Sequence, residues 1–266
     1  MHPILALIFE KASTRTRVSF ESAIDQLGGS AIYIDARTSQ ISRGESLCDT
    51  ARVLGSYVDV LAARLYRHSD IEELARHSPI PVINALTDLE HPCQALSDVY
   101  TIRETFGKIK GLRVAFVGDI AANTANSLMV IASELGADVS LVGPKSCVPN
   151  KRFTEVVRKN SSLRVSENLK EGLAGCDVAY TDTFVSMGEE AQAESRRKLF
   201  APYQLSSSAM KYAKKGAKVM HCLPAHRGEE ITSELLDGKS SIAWRQAANK
   251  MLLEKAILLY LLDKQN

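Results

Sequence analysis

The sequence lacks the features that mark several large classes of protein. It carries 33 basic and 31 acidic residues, so its formal net charge is only +2. This balance provides no extended field for nucleic acid or for a membrane surface, and any anion site must be built locally. The longest apolar stretch, residues 256–262, is far too short to cross a bilayer. No basic run precedes an apolar segment at the start of the chain, so we expect no secretory signal peptide.

Cysteine is also scarce and scattered. The five cysteines form no C-x-x-C pair, so we expect neither a disulfide framework nor a zinc site. This pattern predicts a cytoplasmic protein. The sequence as a whole shows no metal cluster and no organic cofactor site, so we expect neither. The 45% hydrophobic and 24% charged content is that of a folded globular protein.

What the sequence does contain is an alternation of short apolar runs and helical patterns, which is typical of parallel α/β layers. We predict two domains, each with a parallel sheet flanked by helices. The first spans residues 1–107 and the second residues 108–245, with a basic, glycine-flanked link between them. We expect the final helix, within residues 246–266, to return to the first domain. The predicted strands are Ile4–Phe9, Ala31–Ile34, Val60–Ala63, Val82–Leu86, Arg113–Val117, Asp138–Val142, Asp177–Tyr180 and Lys218–Met220.

A first candidate site lies where the strand ending at Phe9 leads into a helix. The free N–H groups and positive dipole end of a helix N-terminus favour an anion. Ser13 and Thr14 add hydroxyl donors, and Arg15 adds a fork suited to phosphate oxygens. Ser13 alone would be an ordinary helix cap. Two hydroxyl residues and two arginines at one helix start favour phosphate binding.

A second candidate segment is His91-Pro92-Cys93-Gln94, which follows a predicted strand and precedes a helix. Open α/β sheets bind ligands beyond the carboxyl ends of their strands. A neutral imidazole at His91 and the amide of Gln94 could both donate to a carbonyl oxygen, although an isolated histidine is more often structural.

The next strand ends in Gly118-Asp119, which raises the possibility of an NAD-dependent dehydrogenase. No glycine follows Gly118 until Gly136, so the G-x-G-x-x-G pattern is absent and we reject that function. The asparagines of this turn suit a carboxylate or zwitterion. Asp182 and Cys222 follow later strands, where Asp182 could pair with a substrate ammonium or be a simple turn residue.

Taken together, these segments resemble the aspartate/ornithine carbamoyltransferase family over almost the whole chain. Ser13-Thr14-Arg15-Thr16-Arg17 is similar to the family's carbamoyl-phosphate loop, and His91-Pro92-Cys93-Gln94 to its second such loop. Asp182 with Ser186-Met187-Gly188 resembles the mobile substrate loop of the ornithine branch. His221-Cys222-Leu223-Pro224 matches that branch's other signature, and the aspartate branch differs at both places.

The resemblance implies transfer of the carbamoyl group of carbamoyl phosphate to the δ-amine of L-ornithine, giving L-citrulline and phosphate. It implies catalytic roles for Arg15, Arg64, His91 and Cys222. The residues implied to bind carbamoyl phosphate are Ser13, Thr14, Arg15, Thr16, Arg64, His91, Gln94 and Lys250. Those implied at the ornithine end are Asn123, Asp182, Ser186, Met187, Cys222 and Leu223. Gln40 is implied to reach a neighbouring subunit's site, in a homotrimer or a multiple of one. A cis peptide before Pro224 is also implied.

Three features depart from the family pattern. Relatives carry some forty or more residues before the strand that begins at Ile4, so their leading helix is expected to be missing. Ala122 replaces the first of two asparagines in the ornithine-binding turn, and Lys250 replaces an arginine that touches carbamoyl phosphate.

Two other functions stay open at this point. The acceptor could be another amine, such as putrescine or an acylated ornithine, or the chain could be a non-catalytic paralogue of the fold. The sequence does not distinguish arginine synthesis from arginine degradation, because the same site serves both directions.

Overall fold

The computed structural model describes residues 2–185 and 190–264. It divides into two compact units. The first comprises residues 1–93 and 249–266, and the second comprises residues 94–248. Among the described residues, no helix has both the length and the apolar character needed to cross a membrane.

Each unit contains one sheet in which every strand pairs in parallel. The sheet of the first unit has the order β2-β1-β3-β4, and that of the second has the order β7-β6-β5-β8-β9. The strands are β1 Ile4–Phe9, β2 Ser30–Asp35, β3 Val60–Arg64, β4 Val82–Leu86, β5 Arg113–Val117, β6 Asp138–Val142, β7 Leu163–Ser166, β8 Val178–Thr181 and β9 Lys218–His221. The predicted α/β class with two parallel sheets is confirmed.

Helices follow most of the strands, as parallel pairing requires. They are α1 Thr14–Asp25, α2 Leu47–Leu54, α3 His68–His77, α4 Pro92–Phe106, α5 Asn123–Glu134, α6 Lys151–Asn160, α7 Leu169–Leu173, α8 Ala193–Phe200, α9 Ser233–Leu236 and α10 Ala243–Asp263. Short 3₁₀ turns connect several of them, including the turn Gln40–Arg43.

The eight predicted strands are all present, but β7 was not predicted. It is an edge strand of only four residues, and its two central residues are exposed. A strand that buries so little surface needs no apolar run, so the pattern that revealed the other strands is missing here.

The first unit has a core on each face of its sheet, because alternate residues of β1 point to opposite faces. Leu5, Leu7 and Phe9 pack on one face, whereas Ala6 and Ile8 pack on the other. All five side chains are at most 1% exposed. This burial on both faces explains why β1 reads as an unbroken apolar run.

The last helix completes the first of these two cores. Leu258 of α10 is fully buried in the same cluster as Leu5 and Phe20. The C-terminal helix therefore packs within the first unit, as the sequence predicted.

In the second unit the carboxyl ends of the strands β5, β6 and β8 lie close together at one edge of the sheet. Gly118 follows β5 with a φ of 119°, a conformation that favours glycine. A Cβ atom on Gly143, which follows β6, would lie 2.3 Å from the carbonyl oxygen of Gly118. Small residues therefore allow these two strand ends to lie side by side.

The packing of α10 predicts a difference between two adjacent leucines. Leu258→Ala should lower the free energy of unfolding by about 2–5 kcal/mol, because it removes a fully buried side chain and leaves a cavity. Leu259, which is 51% exposed, is the matched control, and its replacement by alanine should have little effect. Urea denaturation followed by circular dichroism would measure both, and equal effects would mean that α10 does not contribute to the core as described.

Candidate active site

The start of α1 carries the first group of functional side chains. Ser13 is the N-cap residue, and its hydroxyl accepts a hydrogen bond from the backbone N–H of Thr16 at 3.4 Å. The Ser13 hydroxyl also donates to the Thr16 hydroxyl at 3.1 Å. The first N–H groups of a helix have no partner within it, so this end of α1 can bind an anion.

Lys250 reaches the same helix start from the C-terminal helix. Its Nζ donates to Oγ1 of Thr16 at 2.9 Å, and its side chain is almost fully buried. The oxygen of Thr16 thus accepts hydrogen bonds from both Ser13 and Lys250, and its own hydroxyl hydrogen remains to donate elsewhere. The structure therefore brings a cation from residue 250 to the loop that the sequence predicted for phosphate.

Arg64 is the last residue of β3, and His91 follows β4. At Arg64 a register shift occurs in the pairing of β3 with β4, and this residue is 6% exposed. Burial lowers the pKa of His91 well below its ordinary value, and the charges of Lys250 and Arg64 lower it further. The imidazole is therefore neutral at pH 7 and can donate one hydrogen bond to a carbonyl oxygen.

Three other predicted residues lie at the surface of the first unit, two from the phosphate loop and one implied to reach a neighbouring subunit's site. Thr14 and Arg15 are exposed on the first turn of α1, and Gln40 is exposed in the 3₁₀ turn Gln40–Arg43. Arg15 and Thr14 share this turn with Thr16, so they are close to the helix N-terminus in sequence and in structure.

In the second unit Asp182 is the centre of a second polar group. It follows β8, and Thr124 of α5 donates to its Oδ2 at 2.7 Å. The thiol of Cys222 donates to its Oδ1 at 2.8 Å, and the backbone N–H of Thr183 donates to the same oxygen at 2.7 Å. Three donors fix the orientation of this half-buried carboxylate. Sequence reasoning identified Asp182 and Cys222 but missed Thr124.

The loop after β9 is held by a buried histidine and glutamate. Nε2 of His221 lies 3.0 Å from Oε1 of Glu230, and both residues are fully buried. Nδ1 of His221 accepts from the backbone N–H of Leu223 at 2.8 Å, so the ring hydrogen is on Nε2 and is donated to Glu230. The peptide between Leu223 and Pro224 is cis, as the resemblance implied.

A buried polar network behind Cys222 was also missed. The side-chain oxygen of Gln246 accepts from the backbone N–H of His221 at 3.0 Å. Its amide nitrogen donates to Asp98 at 2.7 Å and to the hydroxyl of Tyr180 at 3.1 Å. The amide nitrogen of Gln94 donates to Asp98 at 2.8 Å. The sequence signal was available in the polar residues at positions 94 and 98, which are spaced to share one helix face.

The remaining predicted residues lie at α5 and after β8. Asn123 is the first residue of α5 and is half-buried. Ala122 is the N-cap of α5 and provides no side-chain cap. Ser186 and Met187 lie outside the described residues. On either side of that segment, Phe184 stacks on Phe200 at 5.3 Å, and Arg196 donates to the carbonyl oxygen of Phe184 at 2.8 Å.

Two groups of described residues offer atoms that a metal ion could bind. Asp182, His221 and Cys222 form one, and His226, Glu229 and Glu230 form the other. In the first group both ring nitrogens of His221 are already used, by Glu230 and by Leu223. The expectation of a metal-free site stays a prediction.

Comparison with known proteins assigns both units to one family. Residues 2–104 match the profile of the aspartate/ornithine carbamoyltransferase carbamoyl-P binding domain, and residues 110–261 match the Asp/Orn binding domain. The ornithine carbamoyltransferase of Pyrococcus horikoshii is 47% identical over 263 residues, which are 97% of this chain and 83% of the relative. The anabolic ornithine carbamoyltransferase of Pyrococcus furiosus is 47% identical over 259 residues, 96% of this chain and 82% of the relative.

Solved structures agree with the sequence matches. The structure of the ornithine carbamoyltransferase of Pyrococcus furiosus superimposes with a TM-score of 0.94 at 46% identity, covering 98% of this chain and 85% of that one. Both domain profiles, the nearly full-length identity and the shared fold show that the chain belongs to the aspartate/ornithine carbamoyltransferase family.

Proposed function

We propose that this chain is an ornithine carbamoyltransferase, which transfers the carbamoyl group of carbamoyl phosphate to the δ-amine of L-ornithine and releases L-citrulline and phosphate. Relatives that carry this name are 45–47% identical over nearly the whole chain. The proposal also accounts for two chemically different polar groups, one suited to an anion and one suited to an amine.

The observation that carries the choice of acceptor is the carboxylate of Asp182 with its three donors, Thr124, Thr183 and Cys222. A carboxylate attracts the ammonium of ornithine and repels the second carboxylate of aspartate. A buried like-charge pair is costly. The second unit therefore favours a cationic amino acid over aspartate.

Carbamoyl phosphate is assigned to the first unit. The N–H groups at the start of α1, together with Thr14, Arg15, Thr16 and Arg64, would neutralise the phosphate and its growing charge as the bond to the carbamoyl carbon breaks. A neutral His91 would donate to the carbonyl oxygen as it becomes an oxyanion. Ser13 and Lys250 complete the set proposed from the first unit, and Gln94, the first residue of the second unit, is also proposed for this substrate.

Ornithine is assigned to the second unit. Asp182 would bind its α-ammonium, and Asn123, Ser186, Met187 and Leu223 would complete the contacts with its amino-acid end. Cys222 would contact the δ-amine, which must lose a proton before it attacks the carbonyl carbon. Holding both reactants in a fixed orientation is itself a large part of the rate enhancement.

Domain limits, assembly and location are further parts of the proposal. Residues 1–107 with the helix within 246–266 would form the carbamoyl-phosphate domain, and residues 108–245 the ornithine domain. We propose a homotrimer or a multiple of one, with Gln40 serving a neighbouring subunit. A cytoplasmic location is supported by five cysteines that are thiols rather than disulfides. The name of the anabolic relative supports a role in arginine biosynthesis.

A first prediction concerns the acceptor. The wild-type chain should form a ureido product with ornithine in large excess over putrescine, acetylornithine and aspartate. Asp182→Asn should lower kcat/KM for ornithine by about a hundredfold, because a charged contact to the α-ammonium is lost. Colorimetric detection of the ureido product would measure all four acceptors.

The matched control is Asp177, which stands at the opposite end of the same strand and pairs with Lys214 at 2.8 Å. Asp177→Asn should leave the acceptor preference unchanged. An Asp182→Asn enzyme with normal kinetics for ornithine would remove Asp182 from the substrate site.

A second prediction concerns Lys250. Lys250→Ala should raise KM for carbamoyl phosphate and lower kcat, whereas Lys250→Arg should retain or improve activity. Loss of one hydrogen bond to a charged ligand costs about 1.5–3 kcal/mol, or roughly ten- to a hundredfold in affinity. Steady-state kinetics at saturating ornithine would measure the change.

Lys255 provides the control, since it lies on the same helix and donates to Gln26 at 3.2 Å rather than to Thr16. Lys255→Ala should behave as wild type. Unchanged kinetics in Lys250→Ala would show that the lysine serves packing alone.

A third prediction concerns assembly. Variants Gln40→Ala and Asp182→Asn, each of low activity, should regain activity when mixed and reassembled, because some sites would then draw intact residues from two different chains. Light scattering would follow the oligomer in parallel. A fully active monomer would contradict the shared site.

A further inference from the structure

Glu254 is a buried acid that none of the assigned roles uses. It lies on α10 one turn after Lys250, and its side chain is fully buried. Within residues 2–185 and 190–264, neither of its carboxylate oxygens has a hydrogen-bond partner. The hydroxyl of Ser19 lies near the carboxylate and lowers the pKa of Glu254, but it donates to the backbone oxygen of Thr16 at 3.2 Å. An acid buried in this way is costly to ionise, and folded proteins normally avoid it.

The charged group that faces Glu254 most closely is Lys250. Oε1 of Glu254 lies 4.0 Å from Nζ of Lys250, and the same Nζ donates to Thr16 at the start of α1. Burial raises the pKa of Glu254 to about 7, even though Lys250 opposes the shift. The carboxyl group therefore changes its charge within the physiological range, directly behind the proposed phosphate site.

The other titratable groups of this region do not share that property. Burial and the charge of Glu254 together raise the pKa of Cys93 to about 12, so its thiol stays protonated. Burial, Lys250 and Arg64 keep the pKa of His91 low, so its ring stays neutral. Arg64 stays charged at every accessible pH. Glu254 is thus the described group of this cluster that can exchange a proton near neutral pH.

We propose that Glu254 is a positioning residue for Lys250, and that it takes up a proton from solvent when a phosphate-bearing ligand binds to the first unit. The inference rests on the proposed function, because it requires that Lys250 lie close to the bound phosphate. In the empty site the carboxylate balances the charge of Lys250. When the dianionic ligand binds, the ligand balances the charge of Lys250 in place of Glu254. The carboxylate of Glu254 then takes up a proton and becomes the neutral acid.

The direction of the coupling follows from charge. An ionised Glu254 attracts Lys250 and repels the incoming phosphate, so it weakens binding. A neutral Glu254 does neither. Binding is therefore tighter for the protonated form, and the bound ligand raises the pKa of Glu254 further. A carboxyl group that is ionised in the free protein must gain a proton on binding, and this cost grows as the pH rises above 7.

Glu254→Gln tests the inference, because the amide has the same shape and cannot titrate. The wild-type and variant chains should bind carbamoyl phosphate about equally near pH 6. Near pH 8 the variant should bind roughly tenfold more tightly, since one pH unit above the pKa of the free acid corresponds to a tenfold cost. Isothermal titration calorimetry would measure both affinities. The ionisation of the ligand itself is the same for both proteins and cancels in the ratio.

Further measurements separate a charge effect from a packing effect. In buffers with different heats of ionisation, wild type should take up close to one proton per ligand near pH 8, and Glu254→Gln should lose that uptake. Glu254→Asp keeps a carboxyl group, so its affinity for carbamoyl phosphate should depend on pH as that of wild type does. Glu254→Met should show the same gain in affinity over wild type between pH 6 and pH 8 as Glu254→Gln, which guards against poor packing of the amide. Asp263→Asn, an exposed acid on the same helix, should match wild type.

Two outcomes would overturn the inference, and they are distinguishable. In the first, wild type binds carbamoyl phosphate well, and the affinity of Glu254→Gln relative to wild type is the same near pH 6 and pH 8. Glu254 would then have no charge coupling to the ligand. In the second, wild type binds no carbamoyl phosphate at either pH, and the proposed function and this inference fail together.

Discussion

Parallel pairing of the strands decides where polar groups can lie in both units. Strands β1 and β5 are buried on both faces, so their side chains are almost entirely apolar. Polar groups are excluded from such strands and gather where the strands end, since all carboxyl ends of a parallel sheet lie at one edge. The start of α1, Arg64 and His91 lie beyond this edge in the first unit. Asp182 and Cys222 lie beyond it in the second. The topology of each sheet therefore decides where its polar group lies, and the individual side chains decide how that group is arranged.

The arrangement of these side chains depends on buried hydrogen bonds between residues that are far apart in the sequence. Gln246 is fully buried and joins the end of β9 to Asp98 and Tyr180. Because a buried polar group without a partner costs about 1–3 kcal/mol, each member of this network restricts the others. The loop that carries Cys222 is thereby held from two sides, by Gln246 before it and by the His221–Glu230 pair across it. The orientation of the Cys222 thiol towards Asp182 therefore depends on this network and on the His221–Glu230 pair.

Much of the fold could be predicted from the sequence, because buried strands leave an unambiguous pattern. The predicted limits of β1, β4, β5 and β6 are those of the structure, whereas the exposed edge strand β7 left no signal. The N-cap role of Ser13 could also be predicted, since it depends on neighbours within one turn. The contact of Lys250 with Thr16 could not, because the two residues are 234 positions apart and their meeting depends on how α10 is rotated. Glu254 was missed for the same reason: a single acid in an apolar helix reads as a solvent-facing residue until its burial is known.

The lysine at position 250 differs from an arginine in what it could offer the phosphate site that we propose for the first unit. An arginine would present a planar fork with five donors, whereas lysine has three donors on one nitrogen. One of these goes to Thr16 at 2.9 Å, and another faces Glu254 at 4.0 Å. In the proposed function the C-terminal helix would therefore supply a charge, but not the paired contact of a guanidinium group. Under the proposed function, paired recognition of the phosphate oxygens would then come from the N-terminus of α1 with Arg15 and Arg64. Most of the contacts with phosphate would thus come from the first helix and not from the end of the chain.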